Sequence, residues 1–215
     1  MKGKALTVFG AAGMLVATSV AAAAVVVGTP GDDVLRGTDQ PDRISAFAGN
    51  DLVYARAGGD YVRAGAGIDG VRAGDGGDLV YGGRGNDAVA GGNGGDRLYG
   101  GSDSDELNGG DGDDRAAGNR GPDDVSGGYG DDSLYGGWGA DRVFGGPGSD
   151  ELHALAADGD VDLLECGPGR DTAWILRSAR RITQVVGCEV VYLVDVLTRE
   201  QADEENTDAD TEADG

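Results

Sequence analysis

Histidine is almost missing from this 215-residue chain, His153 being the only one. A Ser-His-Asp arrangement would have to use it, and no nucleophile elbow lies near. It falls at an outward position of the pattern described below and reads as a solvated side chain. Aromatic residues make up only 6% of the chain, which excludes an ordinary globular core throughout. Basic residues are outnumbered 17 to 39, leaving a net charge of −22, and the arginines do not cluster. That balance excludes nucleic acid as a partner, because a phosphate backbone needs a basic surface. There are two cysteines, Cys166 and Cys188, enough for one disulfide at most. Beyond the first two dozen residues no apolar run is long enough to span a membrane.

What the chain has in excess is glycine, 43 residues, and it has it in phase. Fourteen consecutive nonapeptides of the form GGxGxDxUx, with U apolar, run without a gap from Gly28 to His153. Position six is always aspartate: Asp33, Asp42, Asp51, Asp60, Asp69, Asp78, Asp87, Asp96, Asp105, Asp114, Asp123, Asp132, Asp141 and Asp150. Position eight is always apolar, from Leu35 and Ile44 to Val143 and Leu152. Position four is Gly in twelve units, the exceptions being Gln40 and Asp103. A period this strict outranks local propensity. The G-x-G strings lack a strand-helix context, so a dinucleotide loop is excluded.

Each unit divides into a six-residue Gly-rich turn and a three-residue strand whose middle side chain faces inward. Two units then close one coil of eighteen residues, a parallel β-roll with aspartates along two edges. Glycines let the turn carbonyls converge, and a carboxylate beside them completes the mixed oxygen set that calcium favours. Neighbouring strands stand about 4.8 Å apart. Two carboxylates at that spacing repel by about 1 kcal/mol in water and about 3–4 kcal/mol at an effective dielectric near 20. The roll is therefore expected to depend on metal.

Residues 1–24 read as a secretory signal peptide. Lys2 and Lys4 precede an apolar run from Ala5 to Val20 and the small residues Ala22 to Ala24. Cleavage there deepens the net charge from −22 to −24. An uncleaved anchor is the other reading. The first four units carry Thr29, Thr38, Phe47 and Arg56 at position two, and Gln40-Pro41 stiffens the second turn. Four units open with alanine, at 46, 55, 64 and 73. Tyr54, Tyr81, Tyr99 and Tyr135 share position nine, either as a sugar-binding row or as cross-strand packing. After His153 the register slips by three residues, and degenerate units then place Asp162 and Leu164, and later Asp171, in phase. Asp158, Asp160 and Asp162 imitate an EF-hand, but Leu163 and Gly169 stand where Gly and Glu are required. Residues 175–197 are apolar and are expected to cap the stack. In an exported chain Cys166 and Cys188 most simply pair, two free thiols being the alternative. Residues 198–215 read as a disordered tail, with eight acids and no base from Glu200 onward.

Residues 28–174, through GGRGNDAVA, GGNGGDRLY and GGYGDDSLY, resemble the haemolysin-type (RTX) calcium-binding repeat family. The ending CGPGRDTA…GCE also resembles the terminal cap of secreted bacterial members. The resemblance implies that turn carbonyls and the fourteen aspartates bind several Ca2+ ions between successive coils. Many such proteins carry an enzymatic or cytolytic domain and no cleaved leader, and this chain departs on both counts. The expectation is an all-β, right-handed parallel β-roll (β-solenoid) over residues 25–174 with a C-terminal cap. It would be secreted, extracellular and non-enzymatic. The alternatives are an adhesion or glycan-binding protein, holding a cell-envelope polysaccharide or a surface protein, and a polysaccharide-modifying enzyme. An ice-binding solenoid is disfavoured, since no Thr occupies position seven or nine of the fourteen units.

Overall fold

Side chains that alternate between buried and exposed along a parallel strand can satisfy only one inner face, so the chain must coil to bring two such faces together. The computed structural model describes residues 6–9 and 14–16 as backbone, and residues 23–156, 158, 160–176 and 183–194 in full. The leader expected at 1–24 lies largely outside the described residues, and the acidic tail entirely so. Among the described residues there are twenty-one strands, numbered in chain order from β1 (Leu6–Phe9) to β21 (Val190–Val194), and no helix. None is therefore long and apolar enough to cross a membrane.

Odd-numbered strands form one eleven-stranded sheet and even-numbered strands a second of ten, with parallel pairing throughout. The pairing offset is eighteen residues, as in Leu98 beside Val80 and Leu107 beside Val89. One nonapeptide thus serves one sheet and the next serves the other. Position eight points inward from both sheets, and every residue from Leu35 to Leu152 at that position is buried. The β-solenoid predicted from the period is the observed fold.

The strands are longer than the sequence pattern predicts. A typical one, β9 (Leu79–Arg84), runs from position seven through position three of the next unit, six residues rather than three. Position one therefore also faces the core, and Ala46, Ala55, Ala64 and Ala73 add a second buried row. The extension depends on position two, where Gly83 takes φ 118°. That conformation costs glycine little and lets the backbone continue into the ladder. Phe47 and Arg56 adopt the same region, at φ 82° and 91°, without being glycine. Such strain costs on the order of 1–3 kcal/mol each.

The three residues inserted after His153 are absorbed without loss of register. Pairing offsets there become twenty-one, as in Arg142 with Leu163 and Glu151 with Thr172. Beyond them, β20 (Gln184–Val186) and β21 (Val190–Val194) add one more strand to each sheet. Cys166 and Cys188 are joined as a disulfide with Cα atoms 5.2 Å apart, which ties this last coil to the one below. Replacing Cys188 with Ala should lower stability by roughly 2–4 kcal/mol, read by denaturant unfolding of the calcium-loaded protein. A shift well below 1 kcal/mol would show that the bond is dispensable.

Candidate metal centre

After position three the chain turns through positions four and five and delivers the aspartate of position six to the inside of the turn. All fourteen predicted aspartates are buried, with exposures of 0 to 5%. The alternation of sheets sorts them into two columns. One holds Asp33, Asp51, Asp69, Asp87, Asp105, Asp123 and Asp141, and the other Asp42, Asp60, Asp78, Asp96, Asp114, Asp132 and Asp150. Within a column the backbone N–H of each aspartate donates to Oδ1 of the aspartate one coil later. Asp33 donates to Asp51 at 2.8 Å, Asp87 to Asp105 at 2.8 Å and Asp114 to Asp132 at 2.8 Å. Hydrogen bonds to an ionised acceptor are among the stronger ones. From Asp51 onward one oxygen of each of these carboxylates is thus already spent on holding coil to coil, a role the sequence pattern does not reveal.

Both columns continue past the predicted set. Asp141 donates to Asp162 at 3.2 Å and Asp150 to Asp171 at 3.0 Å, and the N–H of Asp171 ends its column on Oε2 of Glu189 at 2.8 Å. In the sequence the only signal for Asp162 and Asp171, which lie beyond the fourteen aspartates expected to bind metal, is their phase after the slip.

The second oxygen behaves differently. Oδ2 of thirteen aspartates, Asp51 to Asp150 in phase together with Asp171, is buried with no hydrogen-bond partner among the described residues. A buried carboxylate oxygen without a partner is costly. Its surroundings form a small cradle. A Cβ built on Gly82, at position one, would stand 2.6 Å from Asp87 Oδ2 and 2.6 Å from the carbonyl oxygen of Gly100 in the next coil. A side-chain oxygen and a backbone oxygen therefore border one space that glycine leaves open, a donor set of the hard oxygen type calcium takes. In the units of Asp51, Asp60, Asp69 and Asp78 an alanine methyl stands at position one, and the cradle is correspondingly narrower.

Burial, above all, raises the carboxyls of Asp51 to Asp150 in the two columns, and that of Asp162, from their ordinary value of 3.8. Hydrogen bonds from neighbouring backbone oppose the shift, and in most of them adjacent carboxylates add to it. Asp87 and Asp123 are pushed up to about 8, and Asp60, Asp96, Asp105, Asp132 and Asp141 to about 7. Asp51, Asp114, Asp150 and Asp162 rise to about 6, and Asp69 and Asp78 are raised as well. Carboxyls this reluctant to ionise call for a cation or a proton.

The aromatic row divides. Tyr54 lies on the ten-stranded sheet, beneath the guanidinium groups of Arg36 and Arg72 at 4.6 and 5.7 Å. Tyr81 and Tyr99 lie on the other sheet with rings stacked at 5.0 Å, and Tyr135 stacks on His153 at 4.2 Å. The stack continues from His153 to Trp174 and from Trp174 to Tyr192. Rings that cover one another's faces pack the sheet and leave little face for a sugar. His153 is not the solvated side chain expected from its position. It lies inside this stack, and burial, with Arg115 nearby, lowers its pKa to about 4, so it is neutral.

Two columns of buried carboxylates beside backbone oxygens, set on a parallel solenoid, define a repetitive cation-binding protein. The description of the RTX calcium-binding nonapeptide repeat matches this chain in four copies, over residues 27–62, 56–89, 90–125 and 117–152, more than half of its length. The chain belongs to that family, whose repeats bind calcium, and several copies imply several sites. No curated protein matches the chain.

Proposed function

We propose that this is an exported, non-enzymatic structural module whose roll takes up several calcium ions at the position-six aspartates. The observation that carries this reading is the series of thirteen buried Oδ2 atoms without partners. Bound calcium would supply the positive charge and flexible coordination that those oxygens lack. The chain's own residues supply the rest. Position-six carboxylates present oxygen to the cradle, position-one glycines keep it open, and position-eight aliphatic side chains hold the coils in register. Residues 1–24 direct export and are removed after Ala24, residues 175–197 cover the end of the stack, and residues 198–215 remain an acidic tail. An oxidising destination suits the Cys166–Cys188 bond, and calcium outside the cell is abundant enough for sites of modest affinity.

A second reading, a surface for an anionic partner such as an envelope polysaccharide, is favoured by charge segregation. In the eleven-stranded sheet, the strands from Arg43 to Ala154 carry six arginines and a single acid, Glu151. Protein recovered from the medium of expressing cells should begin at Val25, and equilibrium dialysis should count several calcium ions per chain. Retention in the cell with Met1 intact would sink the export claim, and one ion or none would sink the metal claim. Selective capture of acidic sugars on a glycan array would move the function to the second reading. Turnover in a substrate screen would overturn the non-enzymatic one.

A further inference from the structure

The first two units differ from the rest at the oxygen that matters. In the unit of Asp87, Oδ2 faces its cradle alone. In the first unit, Asp33 Oδ2 accepts hydrogen bonds from both the N–H and the hydroxyl of Thr29, the latter at 3.0 Å. In the second, the N–H of Thr38 donates to Asp42 Oδ2, and the Thr38 hydroxyl lies 3.0 and 3.1 Å from the two carboxylate oxygens. The space itself is conserved. A Cβ on Gly28 would meet Asp33 Oδ2 at 2.8 Å and the Ala46 carbonyl at 2.7 Å, close to the values at Gly82.

We propose that Thr29 and Thr38 close the first two aspartate sites, so that Asp33 and Asp42 are held by threonine rather than by calcium. The inference rests on the calcium reading above and names the residues that set where metal binding begins. The backbone agrees with it. Position two is left-handed in later turns, at φ 118° for Gly83 and 122° for Gly101, whereas Thr29 and Thr38 are absent from the positive-φ residues. A β-branched side chain is poorly tolerated in that region. The strands entering these turns accordingly stop at position nine, as β4 (Val34–Arg36) does, instead of running on to position three. The Thr38 hydroxyl also accepts the N–H of Gln40 at 3.2 Å, which fixes the turn in its closed form, and Thr38 is itself buried. An ion entering either cradle would have to break these bonds at Oδ2, whereas in later units Oδ2 has none; in the first unit Oδ1 of Asp33, at the start of its column, is the one buried carboxylate oxygen without a partner among the described residues.

The boundary therefore lies after the second unit. Phe47 and Arg56 at position two of the third and fourth units are not glycine either, yet they take positive φ and leave Asp51 and Asp60 Oδ2 without partners. Sequence alone groups all four together, because it counts missing glycines and not the hydroxyls that stand beside a carboxylate.

The test counts calcium ions per full-length chain by equilibrium dialysis on three variants beside the parent. Asp33→Asn with Asp42→Asn should leave the count unchanged. Asp87→Asn with Asp105→Asn should lower it, and Thr29→Gly with Thr38→Gly, which restores the consensus turn, should raise it by one or two ions. An equal loss in the first two variants would overturn the inference, as would an unchanged count in the threonine variant. A count that Asp87→Asn with Asp105→Asn does not lower would instead defeat the calcium reading, and the other two variants would still decide the role of the threonines.

Discussion

Stripped of calcium at neutral pH, the chain should lose most of its β-sheet circular-dichroism signal and expand in size-exclusion chromatography. Millimolar calcium should restore both, and magnesium should restore neither. The expectation follows from the inside of the turns, where thirteen buried Oδ2 atoms stand without partners along two columns. Each adds a desolvation cost and a repulsion that the neighbouring N–H to Oδ1 bond only partly offsets. Because a solenoid's stability is a sum of unit and neighbour contributions, the same penalty recurs at nearly every coil. Calcium accepts six to eight oxygens in loose geometry, while magnesium demands a tight octahedron and keeps its water. A chelated protein that stayed compact and β-rich at pH 7.5 would contradict the whole account of the turns.

The second large effect is that acid should substitute for calcium. Eleven of the buried carboxyls, Asp87 and Asp123 foremost, are pushed up to about 6 to 8 in the folded roll, against an ordinary value of 3.8. Between those limits the folded state binds more protons than the unfolded chain, so stability falls as pH rises. This contribution is fully present below 3.8 and is lost as pH climbs through 6 to 8. Calcium-free protein, unfolded at pH 7.5, should therefore regain β-signal and compactness near pH 5, which is still above its isoelectric point of about 4.1. Circular dichroism and elution volume across that range, with calcium removed beforehand, provide the measurement. Calcium-free protein that is less ordered at pH 5 than at pH 7.5 would reverse the sign and refute the cause. With calcium present the dependence should flatten at neutral pH, because metal and proton compete for the same oxygens.

Much of this architecture was legible in the sequence because the period is strict. An apolar residue at every eighth position and an aspartate at every sixth dictated the coil, and Val80, Leu98 and Asp87 lie where the period places them. What the pattern concealed were features that depend on which residues become neighbours across coils. Tyr54 and Tyr81 share a position in the repeat but lie on opposite sheets. His153 reads as exposed because position nine points outward in the repeat, yet it is half-buried between the rings of Tyr135 and Trp174, each about a coil away. The length of the strands was hidden because a Gly-Gly pair reads as a turn, while positive φ at Gly83 keeps that pair within the sheet. Thr29 and Thr38 looked like mere departures from glycine, since a hydroxyl standing in for a ligand becomes visible only when its distance to the carboxylate is known.

The aspartate columns also have a direction. Every hydrogen bond in them runs the same way, from an amide in one coil to a carboxylate in the coil that follows it in sequence. The amide of an aspartate made early is therefore satisfied only by a residue made eighteen positions later. A chain delivered from its N-terminus would carry one open donor on each edge at its advancing end, however many coils had already stacked behind it. Completion waits for the last residues to arrive, and Glu189, a glutamate placed where the aspartates run out, is the terminator of one column.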